Sequence, residues 1–260
     1  MKREKFIFVC PIFNASKTLA RCLHSIACQS YTNWKIILID DCSSKEEADK
    51  EDDIIAGFHR LLTLPEEEIK IITVWNEDID RGKCYETSNV LYGIKNFCSD
   101  EDIVCRIDGD DALCDSDALL ALDISYQRGY DCVWTAHRWT GSCRNISGSL
   151  TDKNPYKSEW RSSHLKTFRK KLINDVPYEN FTNMNGELVR RAGDRALYLP
   201  VLHKAKCSGY LPMVTYSYTI DEQGGEVYHT EDARFQKEEA DFLAKRGFVS
   251  EGARWEDVIK

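Results

Sequence analysis

Short apolar runs that end abruptly in polar turns govern what this chain can fold into. Phe6-Ile7-Phe8-Val9-Cys10 is apolar at every position and closes at Pro11. Lys35-Ile36-Ile37-Leu38-Ile39 runs into Asp40-Asp41-Cys42-Ser43-Ser44, and Ile103-Val104-Cys105-Arg106-Ile107 runs into Asp108-Gly109-Asp110-Asp111. A strand covered on both faces reads this way, because neither face is left to water. Between the runs the period changes from strand to helix. Leu19, Cys22, Leu23 and Ile26 recur at helical spacing behind a cap at Asn14-Ala15-Ser16, an acidic helical stretch follows Ser44, and residues 85–97 read as a helix. A further strand is expected over Ile69 to Trp75. Strand, helix, strand at this spacing predicts an α/β fold with a mainly parallel sheet flanked by helices.

The pattern loosens after about residue 130. Asp131 to Thr135 and Val214 to Ile220 read as strands, residues 140–160 as a mobile polar loop, and Glu187 to Cys207 as a helix kinked at Pro200. The charged, amphipathic end, residues 231–260, reads as helices packed on the outside. The expected division is a catalytic unit over 1–225, split into halves at 1–115 and 116–225, with a helical appendage over 226–260.

Composition narrows the class. With 42% hydrophobic and 30% charged residues the 260-residue chain is an ordinary globular protein. No apolar run approaches the ~20 residues that span a bilayer, and the early run from Phe6 to Phe13 lacks a cleavage site, so a cytoplasmic location is expected. The eleven cysteines are scattered without C-x-x-C spacing, which argues for reduced, structural thiols. The sequons at Asn14, Asn145 and Asn180 are then chance matches. A net charge of −8 disfavours nonspecific binding to nucleic acid or anionic membranes.

The acidic turn carries the chemistry. Polar residues at the C-terminal ends of parallel strands are where α/β proteins place ligands. Asp108, Asp110 and Asp111 crowd three carboxylates into four residues, which repel one another unless a cation or solvent intervenes. A hard divalent ion such as Mg2+ or Mn2+ prefers these oxygens and leaves room for substrate phosphates. A lone D-G-D is equally compatible with a solvated acidic turn.

The surrounding blocks decide between the two. Val9-Cys10-Pro11-Ile12-Phe13-Asn14, Ser25 to Trp34, Ile37 to Ser43 and Arg106 to Asp111 stand in the order and spacing of the family 2 glycosyltransferases, which this chain resembles over its first 115 residues. Ser163-His164-Leu165-Lys166-Thr167-Phe168-Arg169 and Gly193-Asp194-Arg195 to Pro200 extend the resemblance to about residue 220. It implies the GT-A fold, a nucleotide-sugar donor, most naturally a UDP-sugar, and an inverting transfer to an acceptor hydroxyl.

Carried over position by position, the resemblance implies that Pro11 and Phe13, with Asn14, line the base pocket and that Asp41 accepts a hydrogen bond from the base. Asp108 would hold the ribose and border the metal, Asp110 would ligate it, and Asp111 would support the turn or bind through water. Arg81 and Lys83 would reach the base or diphosphate, although the spacing from Gly82 to Asn89 departs from the family's pattern. Asp194 takes the place of the general base that deprotonates the acceptor; as a bare residue it is also an acid at a helix N-terminus, favoured by the dipole. His164 would touch acceptor or phosphates, or serve as a structural hydrogen-bonder. His229 would add a metal ligand, and His203 reads as a packed helix residue.

One feature is left over. From Lys153 to Lys171 seven basic residues (Lys153, Lys157, Arg161, Lys166, Arg169, Lys170, Lys171) face one acid, Glu159, with Tyr156, Trp160 and Phe168 between them. The common form of such a run is a solvated helix face. Beside an active site it could also receive an anionic acceptor, a phosphorylated glycan or nucleic acid among them. Competing readings are a sugar nucleotidyltransferase, which wants a glycine-rich loop where Pro11 to Asn14 stand, and a non-catalytic nucleotide- or glycan-binding module.

Overall fold

A computed structural model describes residues 3–62, 70–75, 86–220 and 231–259. Among them runs one eight-stranded sheet: β1 (Phe6–Ile12), β2 (Trp34–Asp40), β3 (Ile71–Val74), β4 (Ile103–Arg106), β5 (Ala112–Leu113), β6 (Cys132–Trp139), β7 (Lys166–Arg169) and β8 (Ser208–Tyr218). The spatial order is β3-β2-β1-β4-β7-β6-β8-β5. The β3-β2-β1-β4 half is parallel throughout, β7 joins it antiparallel to β4, and β6 and β8 pair parallel to each other. The helices are α1 (Leu19–Ala27), α2 (Lys45–Leu62), α3 (Glu86–Phe97), α4 (Ala118–Gln127), α5 (Gly193–Lys204), α6 (Glu231–Arg246) and α7 (Trp255–Val258).

Alternation along β1 explains its unbroken apolar run. Phe6, Phe8 and Cys10 enter one core with the buried faces of α1, α2 and α4, while Ile7 and Val9 enter a second with α3 and α5. Burying a large apolar side chain contributes about 1.5–3 kcal/mol, so a strand lined on both faces is fixed in place from both sides. Gly93 of α3 allows close approach to the sheet: a Cβ there would stand 2.6 Å from Ile39 and 2.9 Å from Val9. No helix of the described residues is long and apolar enough to cross a membrane.

Several boundaries differ from the sequence reading. β1 continues through Pro11 to Ile12, in register with Ile39 and Asp40 of β2. Its pairing with β4 ends at Val9 opposite Arg106, so proline's missing N–H breaks no ladder there. The N-cap position of the first helix is Thr18, not Asn14 to Ser16, and its side chain makes no capping bond. α5 starts at Gly193 and not at Glu187, and it carries Pro200 inside its span. β6 and β8 are longer than expected. The C-terminal helices join the cores: Trp255 is fully buried in the second, and Ala240 and Leu243 pack with Ala192, Ala196 and Leu199 of the α5 region.

The basic run is not a solvated helix face. Its centre is β7, followed by a 3-10 turn over Lys170–Leu172. Arg161 pairs with Glu159, Arg169 with Glu4, and Lys170 with Asp100 and Glu256. Lys166 is fully buried, Phe168 is core, and Tyr156 is buried in a small third cluster.

Candidate active site

The parallel strands deliver their C-terminal ends to one edge, where two turns interlock. Asn14 (φ 48°) and Cys42 (φ 61°) follow β1 and β2 in the left-handed region, uncommon for residues with a Cβ and sustained only by surrounding contacts. Those contacts are visible. Asn14 N donates to Ser43 Oγ at 2.8 Å, Ser44 N donates to Asn14 Oδ1 at 2.9 Å, and Ser43 N donates to Asp40. Asp41 is held by Ile12 O, which accepts from its N–H, and by Asn89 Nδ2, which donates to its carboxylate at 2.9 Å. The outcome is a half-exposed Phe13 beside Asp41.

The third turn is the acidic one. Gly109 packs against β1 so closely that a Cβ would stand 2.6 Å from Ile12. Arg106, buried at the end of β4, donates to Asp108 Oδ1 at 2.7 Å and to Glu86 of α3. Asp111 turns inward, accepting from Tyr216 Oη at 2.7 Å and from Thr219 N at 2.6 Å, so its turn-supporting part is plain in the geometry. Burial, with the charges of Asp108 and Asp110 added, pushes its carboxyl up to about 8. Asp110 is exposed, and its carbonyl accepts from Arg21 Nη2 at 2.6 Å.

Asp194 stands in the first turn of α5. Its Oδ1 lies 2.9 Å from Lys166 Nζ and its Oδ2 3.8 Å from His164 Nε2. Burial pushes this carboxyl up, but the charges of Lys166 foremost, and of Arg106, outweigh it and hold the group well below the usual carboxylate range. His164 is stacked between Tyr216 (4.7 Å) and Tyr218 (5.0 Å). Burial and the Lys166 charge keep its ring well below the ordinary histidine value, hence neutral. Lys166 and Arg106 are therefore the standing cations beside Asp194, and they face each other in the β4–β7 register.

Phe13, Asp41, Asp108, Asp110, His164 and Asp194 line one cleft of about 1260 Å³. Pro11 and Asn14 flank Phe13 in sequence but are not part of that lining. Arg81, Lys83 and His229 lie outside the described residues. For a metal, the carboxylates of Asp108 and Asp111 and the ring of His164 offer ligand atoms within 4.8 Å of one another, a grouping that leaves out Asp110. Oxygen donors in mutual repulsion, one of them pushed up to about 8, fit a hard divalent cation.

Sequence reasoning missed Lys166, Arg106 and Glu86. Lys166 and Arg106 sit inside family-like blocks, the one signal available for them, and nothing in the sequence marks Glu86. It also did not place Trp139, α6, or Arg190 and Arg191 of the segment 190–195 at the site; they line the cleft with Trp160, Asp194 and Arg195. That segment is pinned by Glu239, fully buried on α6, whose carboxylate accepts the N–H groups of Arg190 (3.0 Å), Arg191 (2.8 Å) and Ala192 (3.1 Å). His203 stacks on Phe248 at 4.2 Å, a packed helix residue as expected.

The family model for glycosyl transferase family 2 matches residues 7–183, well over half of the chain. No curated protein sequence matches. Among solved structures, the chain is similar to S. aureus TarS (TM-score 0.62, 16% identity), covering 92% of this chain and 43% of that one. It is similar to TarS 1-349 in complex with UDP-GlcNAc (TM-score 0.63, 17% identity, 92% and 71% covered). A third is the mannosyltransferase PcManGT from Pyrobaculum calidifontis in complex with GDP-Man and Mn2+ (TM-score 0.54, 11% identity, 88% and 60% covered). The chain thus spans less than half of the first of these TarS chains, and at these identities the likeness establishes the GT-A fold.

Proposed function

The chain belongs to glycosyl transferase family 2, and we propose that it moves a sugar from a nucleotide-sugar donor to an acceptor hydroxyl with inversion, using Asp194 as general base. The observation that carries this reading is Asp194, paired with Lys166, sharing one cleft with the Asp108–Asp110 turn. Phe13 would stack on the base, with Pro11 and Asn14 shaping its turn, and Asp41 would accept from the base. The UDP-GlcNAc and GDP-Man carried by the structural relatives support a nucleotide-sugar donor, and UDP is the nucleotide we favour.

Asp110 and Asp108 would hold a divalent ion, Mn2+ or Mg2+, with His229 as a further ligand and Arg81 and Lys83 reaching the base or diphosphate. Bound there, it would neutralise charge developing on the leaving nucleoside diphosphate. The protein's own part is proton transfer and placement. Lys166 occupies Oδ1 of Asp194, so Oδ2 takes the acceptor's proton as the hydroxyl attacks in line. A carboxylate held low is a weak base, but it is unprotonated near neutral pH, and it takes the hydroxyl's proton as the sugar bond forms. Neutral His164 borders Oδ2 without adding charge. We take residues 1–225 as the catalytic unit and 226–260 as a helical attachment, one that completes the cleft through α6. A cytoplasmic site of action is part of the same proposal.

The test is Asp194→Asn, assayed with UDP-GlcNAc and Mn2+. Transfer should fall by about 10²–10⁴-fold, while the dissociation constant for UDP stays within about twofold. Near wild-type transfer by a well-folded variant would remove Asp194 from the role of base.

A further inference from the structure

The cleft is lined by charges of both signs, drawn from different parts of the chain. Strand ends supply Asp41, Asp108 and Asp110, whereas the segment leading into α5 and the helix's first turn supply Arg190, Arg191 and Arg195, all lining the same space with Asp194 among them. Three guanidiniums within six residues stand out in a chain of net charge −8, whose overall field repels anions; a cationic wall inside a cleft reverses that field locally. The basic run at 153–171 is not the seat of this charge, since four of its seven cations are paired to acids within the fold.

The wall is built rather than draped. Glu239 binds three successive N–H groups of the segment from below, and a fully buried carboxylate is costly unless it is bonded this way. The backbone is thereby fixed beneath side chains that enter the cleft. Arg195 lies 5.2 Å over the ring of Trp160, which lines the cleft too. A stacked guanidinium keeps its planar fork oriented, and an indole face beside it suits a sugar ring. Carboxylates border the arginines: Glu187 is 3.1 Å from Arg190, and Asp241 lies in the lining near Arg195. A guanidinium carries five N–H donors, so it can bond a carboxylate neighbour and an oxyanion at once.

We infer that the acceptor bears an oxyanion, a phosphate or a carboxylate, close to the hydroxyl that attacks, and that Arg190, Arg191 and Arg195 hold it against the Trp160 side of Asp194. The inference rests on the reading of Asp194 as base, since that residue defines the acceptor side. Placing the anion there orients the hydroxyl toward Oδ2 and gives the enzyme a means of rejecting neutral sugars.

The probes are glucose 6-phosphate, glucuronate and glucose, titrated by calorimetry into the full chain saturated with UDP and Mn2+. Both charged probes should bind at least tenfold more tightly than glucose, the tighter one telling phosphate from carboxylate, and binding should weaken with salt. Arg195→Gln and the exposed Arg191→Gln should each cost about tenfold in charged-probe affinity, the scale of one charge-assisted hydrogen bond, with the UDP dissociation constant and melting temperature unchanged. Equal binding of glucose and the charged probes overturns the inference. So does a loss of UDP affinity in the arginine variants, which would assign the wall to the donor diphosphate. These binding arms do not depend on turnover, so failure of the Asp194→Asn rate test and failure of the anion site are read separately.

Discussion

Lys166→Met probes the base and its support together. Lys166 is fully buried and its Nζ lies 2.9 Å from Asp194 Oδ1, whose side chain keeps 30% of its surface exposed. Removing one partner of a fully buried ion pair costs about 3–5 kcal/mol. Water reaches Asp194 and Arg106 stays nearby, so the cost here should be smaller, about 2 kcal/mol after the solvent discount. In a chain of this size that lowers the melting temperature by roughly 4–8 °C. The sign with pH follows from Asp194, whose carboxyl is held below its ordinary value. Its pairing stabilises the fold above the unfolded carboxylate pKa and is lost as pH falls through the folded value. In Lys166→Met that loss, and the acid limb of the transfer rate, should begin at higher pH. The assay is kcat and donor KM against pH with melting curves on the same samples: kcat should fall at least tenfold, donor KM should hold, and Lys166→Arg should restore part of kcat. A Lys166→Met enzyme that melts and turns over like wild type would refute the reasoning.

Two further predictions follow from neighbouring groups. Asp110→Asn should leave the fold intact and raise at least tenfold the Mn2+ concentration needed for half-maximal UDP binding, followed by calorimetry; an unchanged requirement removes Asp110 from the metal site. Glu51 is fully buried, accepts from Ala15 N, and has no partner among the described residues for its Oε2. Burial first, then the charges of Asp40 and Glu47, raise its carboxyl above the ordinary value. A raised group favours the fold below its unfolded pKa and loses that contribution as pH rises through the folded one, so Glu51→Gln should melt higher than wild type at pH 8 and lose that advantage near pH 5.

The strands legible in the sequence were those whose neighbours are apolar on both faces. β1, β2 and β4 show unbroken apolar runs because each lies between two helix layers. β7 gave no such signal. It begins with a lysine whose burial depends on Asp194, 28 positions further on, and a local pattern cannot register a partner at that distance. The start of α5 was misplaced for a similar reason. Leu188 and Ala192 continue the helical spacing backwards, but the N–H groups of residues 190–192 are taken by Glu239, which holds the segment outside the helix. The acidic turn was legible as chemistry since crowded carboxylates need a cation. What fixes it, Tyr216 and Thr219 from β8 and its exit, comes from more than a hundred residues away.

The charge pattern of the site bears on the order in which ligands enter. Glu86, Asp108 and Asp194 surround Arg106 and Lys166, three carboxylates against two cations, and exposed Asp110 adds to the acidic side. A nucleoside diphosphate arriving alone would bring further negative charge to this edge, where burial first, then the charges of Asp108 and Asp110, push Asp111 up to about 8. A divalent cation at the turn removes that repulsion and lowers the same carboxyl at once, so nucleotide and metal should each tighten the other, as linkage requires of any two ligands that share a coupling free energy. Arg190, Arg191 and Arg195 line the same cleft, and in the proposal above they act on the acceptor, so donor loading and acceptor choice would draw on different groups of one site.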